Sequence, residues 1–290
     1  RRAWALGARE GLSDMRKAHG EALELRPGRV EDHADFARLF GELGVEDPPP
    51  PLDMWVADLV KRSFFVDGPE GPRAYALIDV MGDVGYVVNL VVAPGERRRG
   101  LGRWVMGRLA EHFRARGCRE WMLYVKPENV PAVALYTAVG MKVGQLGRTW
   151  RVSRGHLEAL PAAPEDLEVV PVAEADFALL TEAFELVPGK LARFAAQSSH
   201  RLRRLSHPEQ PDAGRLGMMD VRPYARVLVP FYAATPAHAR VLLEAAFLEL
   251  GHPEDLQVAT ADEALQALLR GAGARRVLET LAMRGPLPAE

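Results

Sequence analysis

The stretch Leu90-Val91-Val92-Ala93-Pro94-Gly95-Glu96-Arg97-Arg98-Arg99-Gly100-Leu101-Gly102-Arg103 decides how this chain is read. Its first three residues are branched and apolar, which suits a buried strand, and Pro94 and Gly95 interrupt the run. From Leu101 onward, Val105, Leu109 and Phe113 follow at intervals of four, the stripe of a helix with one buried face, and Gly117 supplies a C-terminal stop. A strand that feeds a helix through a Gly/Arg turn aims several unpaired N–H groups and the positive end of the helix dipole at one spot. That is an anion site. Gly100 and Gly102, without β-carbons, let an anion approach the main chain closely. The dipole supplies ~0.3–1 kcal/mol at an exposed site and up to ~2 when partly buried, so N–H bonds and arginines must supply the rest. A Walker loop is excluded because Gly102 is followed by Arg103, and a dinucleotide loop because the place of its third glycine is Val105.

Composition narrows the classes further. The 290 residues carry 37 Lys or Arg against 39 Asp or Glu, a net charge of −2, which excludes a polyanion binder driven by bulk charge. With 48% hydrophobic and 26% charged residues, the chain reads as a soluble globular protein of one large or two small domains. Cys118 is the single cysteine, which excludes an internal disulfide framework and a cysteine-built metal site and suits a reducing cytoplasm. It opens a strand and reads as a small buried side chain rather than a nucleophile. No apolar run approaches the ~20 residues that span a bilayer, so the expectation is a cytoplasmic protein with no membrane partner. Residues 1–20 lack a secretory pattern and are read as an extension outside the fold, a real arm or a translation-start artefact, with Met15 just before the first strand. The eight histidines are scattered, without a His-Glu-x-x-His pattern, so no metal is expected. There is no Gly-x-Ser-x-Gly elbow either.

Periodicity gives a strand at 22–26, a helix at 30–43 and a second helix at 52–63 beyond the Pro48–Pro51 interruption. Strands at 64–66, 73–80 and 86–92 form a meander. The helix at 101–116 is followed by a strand at 121–125, a helix at 129–139 ended by Gly140, and one or two closing strands at 141–152. The second half repeats this order. Leu23, Glu24 and Pro27 match Leu167, Glu168 and Pro171 at an offset of 144, and Asp35-Phe36-Ala37 matches Asp176-Phe177-Ala178 at 141, as Asp79-Val80 matches Asp220-Val221. Gly117 matches Gly251 at 134, and Leu135, Gly140 and Arg151 match Leu268, Gly273 and Arg284 at 133. A shrinking offset is what loop deletions between two copies would give, where accidental similarity should scatter. The expected fold class is α/β, a mixed, mostly antiparallel sheet flanked by helices, in two tandem domains at 21–158 and 166–290 joined by the Pro/Ala-rich 160–165.

The loop from Arg97 to Gly102, Arg-x-x-Gly-x-Gly, resembles the acyl-CoA signature of the GCN5-related N-acetyltransferase (GNAT) superfamily, and the preceding Leu90-x-Val92-x-Pro94 fits as well. A second family element follows in Leu123-Tyr124-Val125 and then Asn129 through Ala132, Leu135, Tyr136 and Gly140-Met141. The resemblance implies acetyl-CoA as acyl donor, its diphosphate held by the amides of Arg98, Arg99, Gly100, Leu101, Gly102 and Arg103, with Arg97, which opens the motif, also binding the cofactor. Its pantetheine arm would pair like an extra strand with Leu90, Val91 and Val92, where an N–H faces the thioester oxygen. Asn129 would reach the cofactor arm, or serve simply as a helix N-cap. Tyr136 would protonate the departing thiolate, which a phenol with an ordinary pKa of ~10 can do at neutral pH, or be a core residue with a satisfied hydroxyl.

One departure stands out. Many family members carry a carboxylate just before the central Leu-x-Val, and here those positions are Val88 and Asn89, neither a base. Asp79, Asp83 and Glu128 are candidates by position at strand ends. The second copy puts Phe231, Ala234 and Pro236 at the places of Arg97, Gly100 and Gly102, with Leu269 for Tyr136 and Asp262 for Asn129. It is expected not to bind CoA in the usual mode. The function implied is an N-acyltransferase acting on a small-molecule or peptide amine, with residues 48–63 lining the acceptor pocket, as a monomer or homodimer without nucleic acid. The alternative is a non-catalytic acyl-CoA-binding module with a partner-binding second domain.

Overall fold

The computed structural model describes residues 23–209 and 215–288, so the proposed 1–20 extension and Met15 lie outside the described residues. The chain divides into two units. The first runs to Gly144 and takes in the chain again from Ala282; the second is Gln145–Leu281.

In the first unit, β1 (Arg26–Pro27) leads into α1 (His33–Phe40) and then α2, which begins at Leu52–Met54 and continues through a wide turn, Trp55–Leu59, and a tight one, Val60–Arg62. Next come β2 (Ser63–Val66), β3 (Ala74–Met81) and β4 (Val84–Val92), then α3 (Leu101–Arg114), β5 (Glu120–Val125) and α4 (Val130–Ala138). Strands β1 to β4 pair antiparallel in order, and β5 joins β4 in parallel. One sheet face carries α1 and α2 over Phe36, Leu39, Trp55, Phe65, Tyr75 and Val91. The other carries α3, whose expected stripe of Leu101, Val105, Leu109 and Phe113 is buried throughout. Phe113 lies so close to Gly85 of β4 that a β-carbon there would stand 2.4 Å from the ring. The glycine is therefore fixed by packing. Shortening Leu109 to Ala in so tight a seam should cost ~2–5 kcal/mol.

In the second unit, β6 (Lys142–Val152) supplies its residues from 145 onward. It is followed by β7 (Glu168–Pro171), α5 (Phe177–Ala183), α6 (Lys190–Ala195), β8 (Arg201–Ser206), β9 (Gly217–Arg222), β10 (Val227–Ala233), α7 (Pro236–Glu249), β11 (Leu256–Thr260), α8 (Glu263–Gly271) and β12 (Arg275–Pro286). Strands β7 to β10 pair antiparallel, β11 joins β10 in parallel, and β6 runs antiparallel to β11. The element order repeats that of the first unit. Closing strands are exchanged, however: the second unit uses the strand that follows α4, and the first is completed by the end of β12, where Arg284 pairs with Glu120 and Leu287 N–H donates to Arg119 O. The compact units thus part at 144/145 and 281/282, whereas composition suggested a junction at 160–165.

Cross-strand pairs align the two copies independently of residue identity. Met81 opposite Val84 corresponds to Arg222 opposite Val227, offsets of 141 on one strand and 143 on the next. The four-residue turn 223–226 replaces the two-residue turn 82–83, so the offset rises there. It falls to 135 at the helices starting at Leu101 and Pro236, then rises to 137 where Val84 opposite Glu120 corresponds to Val227 opposite Gln257. The steady shrinkage expected from sequence is therefore wrong, because identity matches were too sparse to register turn insertions.

Candidate functional site

The register has a consequence for the loop. Val92 corresponds to Thr235 and Leu101 to Pro236, so the eight residues 93–100 have no counterpart in the second copy. The sequence comparison placed Phe231, Ala234 and Pro236 at the loop positions. In the structure Phe231 belongs to β10, and the loop is deleted rather than substituted.

In the first unit β4 pairs with β3 along its whole length but with β5 only as far as Val87 opposite Leu123. A bulge falls between Leu77 and Ile78, which face Asn89 and Val87 and leave Val88 as the extra residue. Beyond it, Leu90, Val91 and Val92 have no recorded pairing with β5. Val91 turns into the α1/α2 core, and Leu90 and Val92 are half-buried. The opening this leaves has the loop 93–100 at its far end.

That loop is shaped by two left-handed residues, Arg98 at φ 60° and Gly100 at φ 85°. Gly100 is the N-cap of α3 and has no side chain to cap with, and the first helical bond runs from Trp104 N–H to Gly100 O at 3.0 Å. The amides of Arg98, Arg99, Gly100, Leu101, Gly102 and Arg103 all precede that bond. Gly102 has a packing task beside the one expected. A β-carbon there would stand 3.2 Å from Leu135 Cδ2 and 3.7 Å from Val92 Cγ2, so its smallness lets α3 pack on α4 and β4. Arg97 also departs from expectation. Its Nε donates to Val92 O at 2.9 Å and its Nη2 to Glu42 at 2.7 Å, so its head folds back against the end of α1. Arg98, Arg99 and Arg103 are exposed.

On the other jaw, Asn129 caps α4 by accepting the Ala132 N–H at 3.3 Å, which occupies Oδ1. Tyr136 lies two turns further on, almost fully buried, and burial pushes its hydroxyl up to about 12. Desolvation alone shifts that hydroxyl, with no hydrogen bond from another described residue contributing. Lys126 Nζ donates to Gly44 O at 2.6 Å. With the Glu42–Arg97 pair, this ties the segment after α1 to both jaws, a link no local sequence signal could announce.

The three carboxylates suggested as bases fare differently. Asp83 sits in the β3–β4 turn and pairs with Arg119, at the opposite end of β4 from the loop. Asp79 lies across from Tyr86, two residues before the bulge, but is buried and held by Arg62 Nη1 at 2.6 Å; Arg62 also pairs with Asp58. Glu128 is exposed beside Asn129. Cys118 is buried, and burial raises its thiol pKa. Among the described residues no three His, Cys, Asp or Glu side chains converge as metal ligands, and no helix is long and apolar enough to cross a membrane.

The model of the acetyltransferase (GNAT) family matches residues 33–141, from the start of α1 to the end of α4. The chain is 32% identical over 88 residues to the ribosomal protein bS18-alanine N-acetyltransferase of Salmonella typhimurium, a match covering 30% of this chain and 60% of that one. The match to its Escherichia coli counterpart covers about half of that protein. A solved GCN5-related N-acetyltransferase from Sphaerobacter thermophilus superimposes with a TM-score of 0.63 at 17% identity, over 92% of this chain and 96% of its own. A tandem GNAT protein from the clavulanic acid biosynthesis pathway gives 0.62 at 17% identity, over 93% and 100%. At such identity the likeness is one of fold: the chain is a mixed α/β tandem of two GNAT-like folds.

Proposed function

We propose that the chain is an N-acetyltransferase whose first copy takes acetyl-CoA as acyl donor and passes the acetyl group directly to a primary amine. The observation that carries this reading is the uncapped head of α3. Six successive amides, two of them at left-handed residues, and three exposed arginines follow one another in this short loop, and a diphosphate is a ligand suited to such a set of donors. The open half of β4, Leu90 to Val92, offers main-chain groups to the pantetheine arm, and an N–H near the Val88 bulge would stabilise the oxyanion that forms on the thioester carbonyl.

The amine nitrogen attacks that carbonyl, the C–S bond breaks as the oxyanion collapses, the thiolate takes the proton of Tyr136, and the N–H proton that the new amide sheds passes to solvent, from which Tyr136 is reprotonated. With its pKa pushed to about 12, Tyr136 remains protonated across the assay range, and its hydroxyl can donate. Asn129, its Oδ1 engaged as a cap, has its amide NH2 left for the cofactor arm. No carboxylate stands at the bulge. The acceptor therefore loses its ammonium proton to solvent before attack, and for an alkylamine of pKa ~10.4 the rate should climb through neutral pH.

Thiol release from acetyl-CoA, measured over small amines and peptides including one with N-terminal alanine, tests the reading. Turnover above hydrolysis with at least one acceptor is expected. Micromolar CoA binding without turnover on any acceptor would instead favour an acyl-CoA-binding module, a reading to which the missing carboxylate lends some support.

A further inference from the structure

We infer that the second unit carries a site of its own, for a small organic ammonium ion, in the cleft where the first copy is read as taking acyl-CoA. Strands β10 and β11 are recorded as paired only at Val227 opposite Gln257 and Leu228 opposite Val258, and beyond these the sheet opens. A cavity of about 310 Å³ lies in that opening, bounded by Phe184, Phe231, Tyr232, Thr235, Asp262 and Leu265 among others. This is within the ~300–1,000 Å³ of small-molecule sites.

Its chemistry excludes an anion. Helices α7 and α8 begin at this cavity, as α3 and α4 begin at the GNAT cleft, but both are closed by their own caps. Thr235 accepts the His238 N–H, Pro236 has no N–H to offer, and Asp262 Oδ1 accepts the Leu265 N–H at 2.7 Å. The eight-residue loop and its arginines are gone. Of the eleven residues lining the cavity Asp262 alone is charged, and among the described residues no cation pairs with it. The lining is otherwise uncharged and partly aromatic: Phe184 and Tyr232 stack with centroids 5.0 Å apart at 17°, and Phe231 also lines the cavity. A carboxylate and aromatic rings in one cavity attract a positive head attached to a small apolar body.

Titration calorimetry of the full chain with 2-phenylethylamine, 2-phenylethanol and phenylacetate tests this at neutral pH, where the three probes are cationic, neutral and anionic. The amine should bind, the alcohol more weakly, and the acid not at all. Asp262→Asn keeps the helix cap, and circular dichroism checks that it folds; it should weaken the amine about five-fold, as an exposed charge partner would. Phe184→Ala should weaken it about ten-fold through the lost aromatic wall. Absence of amine binding, phenylacetate binding as tight as the amine, or amine binding that neither variant alters would each overturn the inference.

Discussion

Two helix beginnings, at Gly100 and at Thr235, set the halves of this chain apart. Both follow the strand that opens away from its parallel neighbour, and both helices are 14 residues long with a buried stripe. The first begins with a residue that has no side chain to cap with, in a left-handed conformation; the second begins with a threonine that folds its own hydroxyl onto the first turn. A helix start left unsatisfied needs a partner from outside the chain, and one capped from within does not. Change of function between duplicated folds can thus come from loop length and capping, with the sheet and its packing retained.

The largest effect should come from the chemistry the second copy lacks. Replacing Tyr136 by Phe, the closest apolar analogue of a position that is Leu269 in the other half, should lower kcat by ~10²-fold or more, leaving the KM for acetyl-CoA near its parent value. Steady-state kinetics read both. In the parent, log(kcat/KM) should rise with pH until the acceptor ammonium is titrated, without a falling limb below about pH 11, since Tyr136 is pushed to about 12. A plateau set by an enzyme group near pH 7 would instead reveal a base on the protein.

Next in size is Gly100→Glu, which brings a side chain and a negative charge into the left-handed cap. Strain of ~1–3 kcal/mol and the lost anion field should together weaken CoA ~30-fold or more by calorimetry. The same titration should give one CoA per chain. Two would mean the closed helix head of the second copy still grips a diphosphate. Thr235→Ala removes that copy's cap, and denaturant unfolding should show a loss of ~1 kcal/mol with CoA affinity unchanged.

The smallest effect is a pH dependence of stability in the first copy. Burial, helped by the neighbouring Arg116, lowers His112 from 6.5 to about 4. Between those values the unfolded chain binds the proton and the folded one resists it, so this contribution is present above pH 6.5 and lost as pH falls toward 4. His112→Gln should flatten the dependence of the melting temperature in that window.

Much of the first copy was legible in its residues because its signals are local. The four-residue spacing of Leu101, Val105, Leu109 and Phe113 gives α3, Gly100 its left-handed start, and Asn129 and Gly140 the two ends of α4. The roles of Gly102 and Arg97 were not legible. One is set by Leu135 on another helix, and the other by Glu42, 55 residues away. The extra residue at Val88 is equally silent, because a bulge is a property of two strands together.

The sequence by itself determined which elements form, that they occur twice in one order, and where a Gly/Arg turn opens a helix, since each rests on spacing and on backbone freedom within a few residues. Only the tertiary structure decided that the closing strands are exchanged, that the second copy lost its loop outright, and that a cavity with one carboxylate opens there. Strand pairing and cavity shape arise between residues far apart in the chain, and composition carries no record of which partners meet.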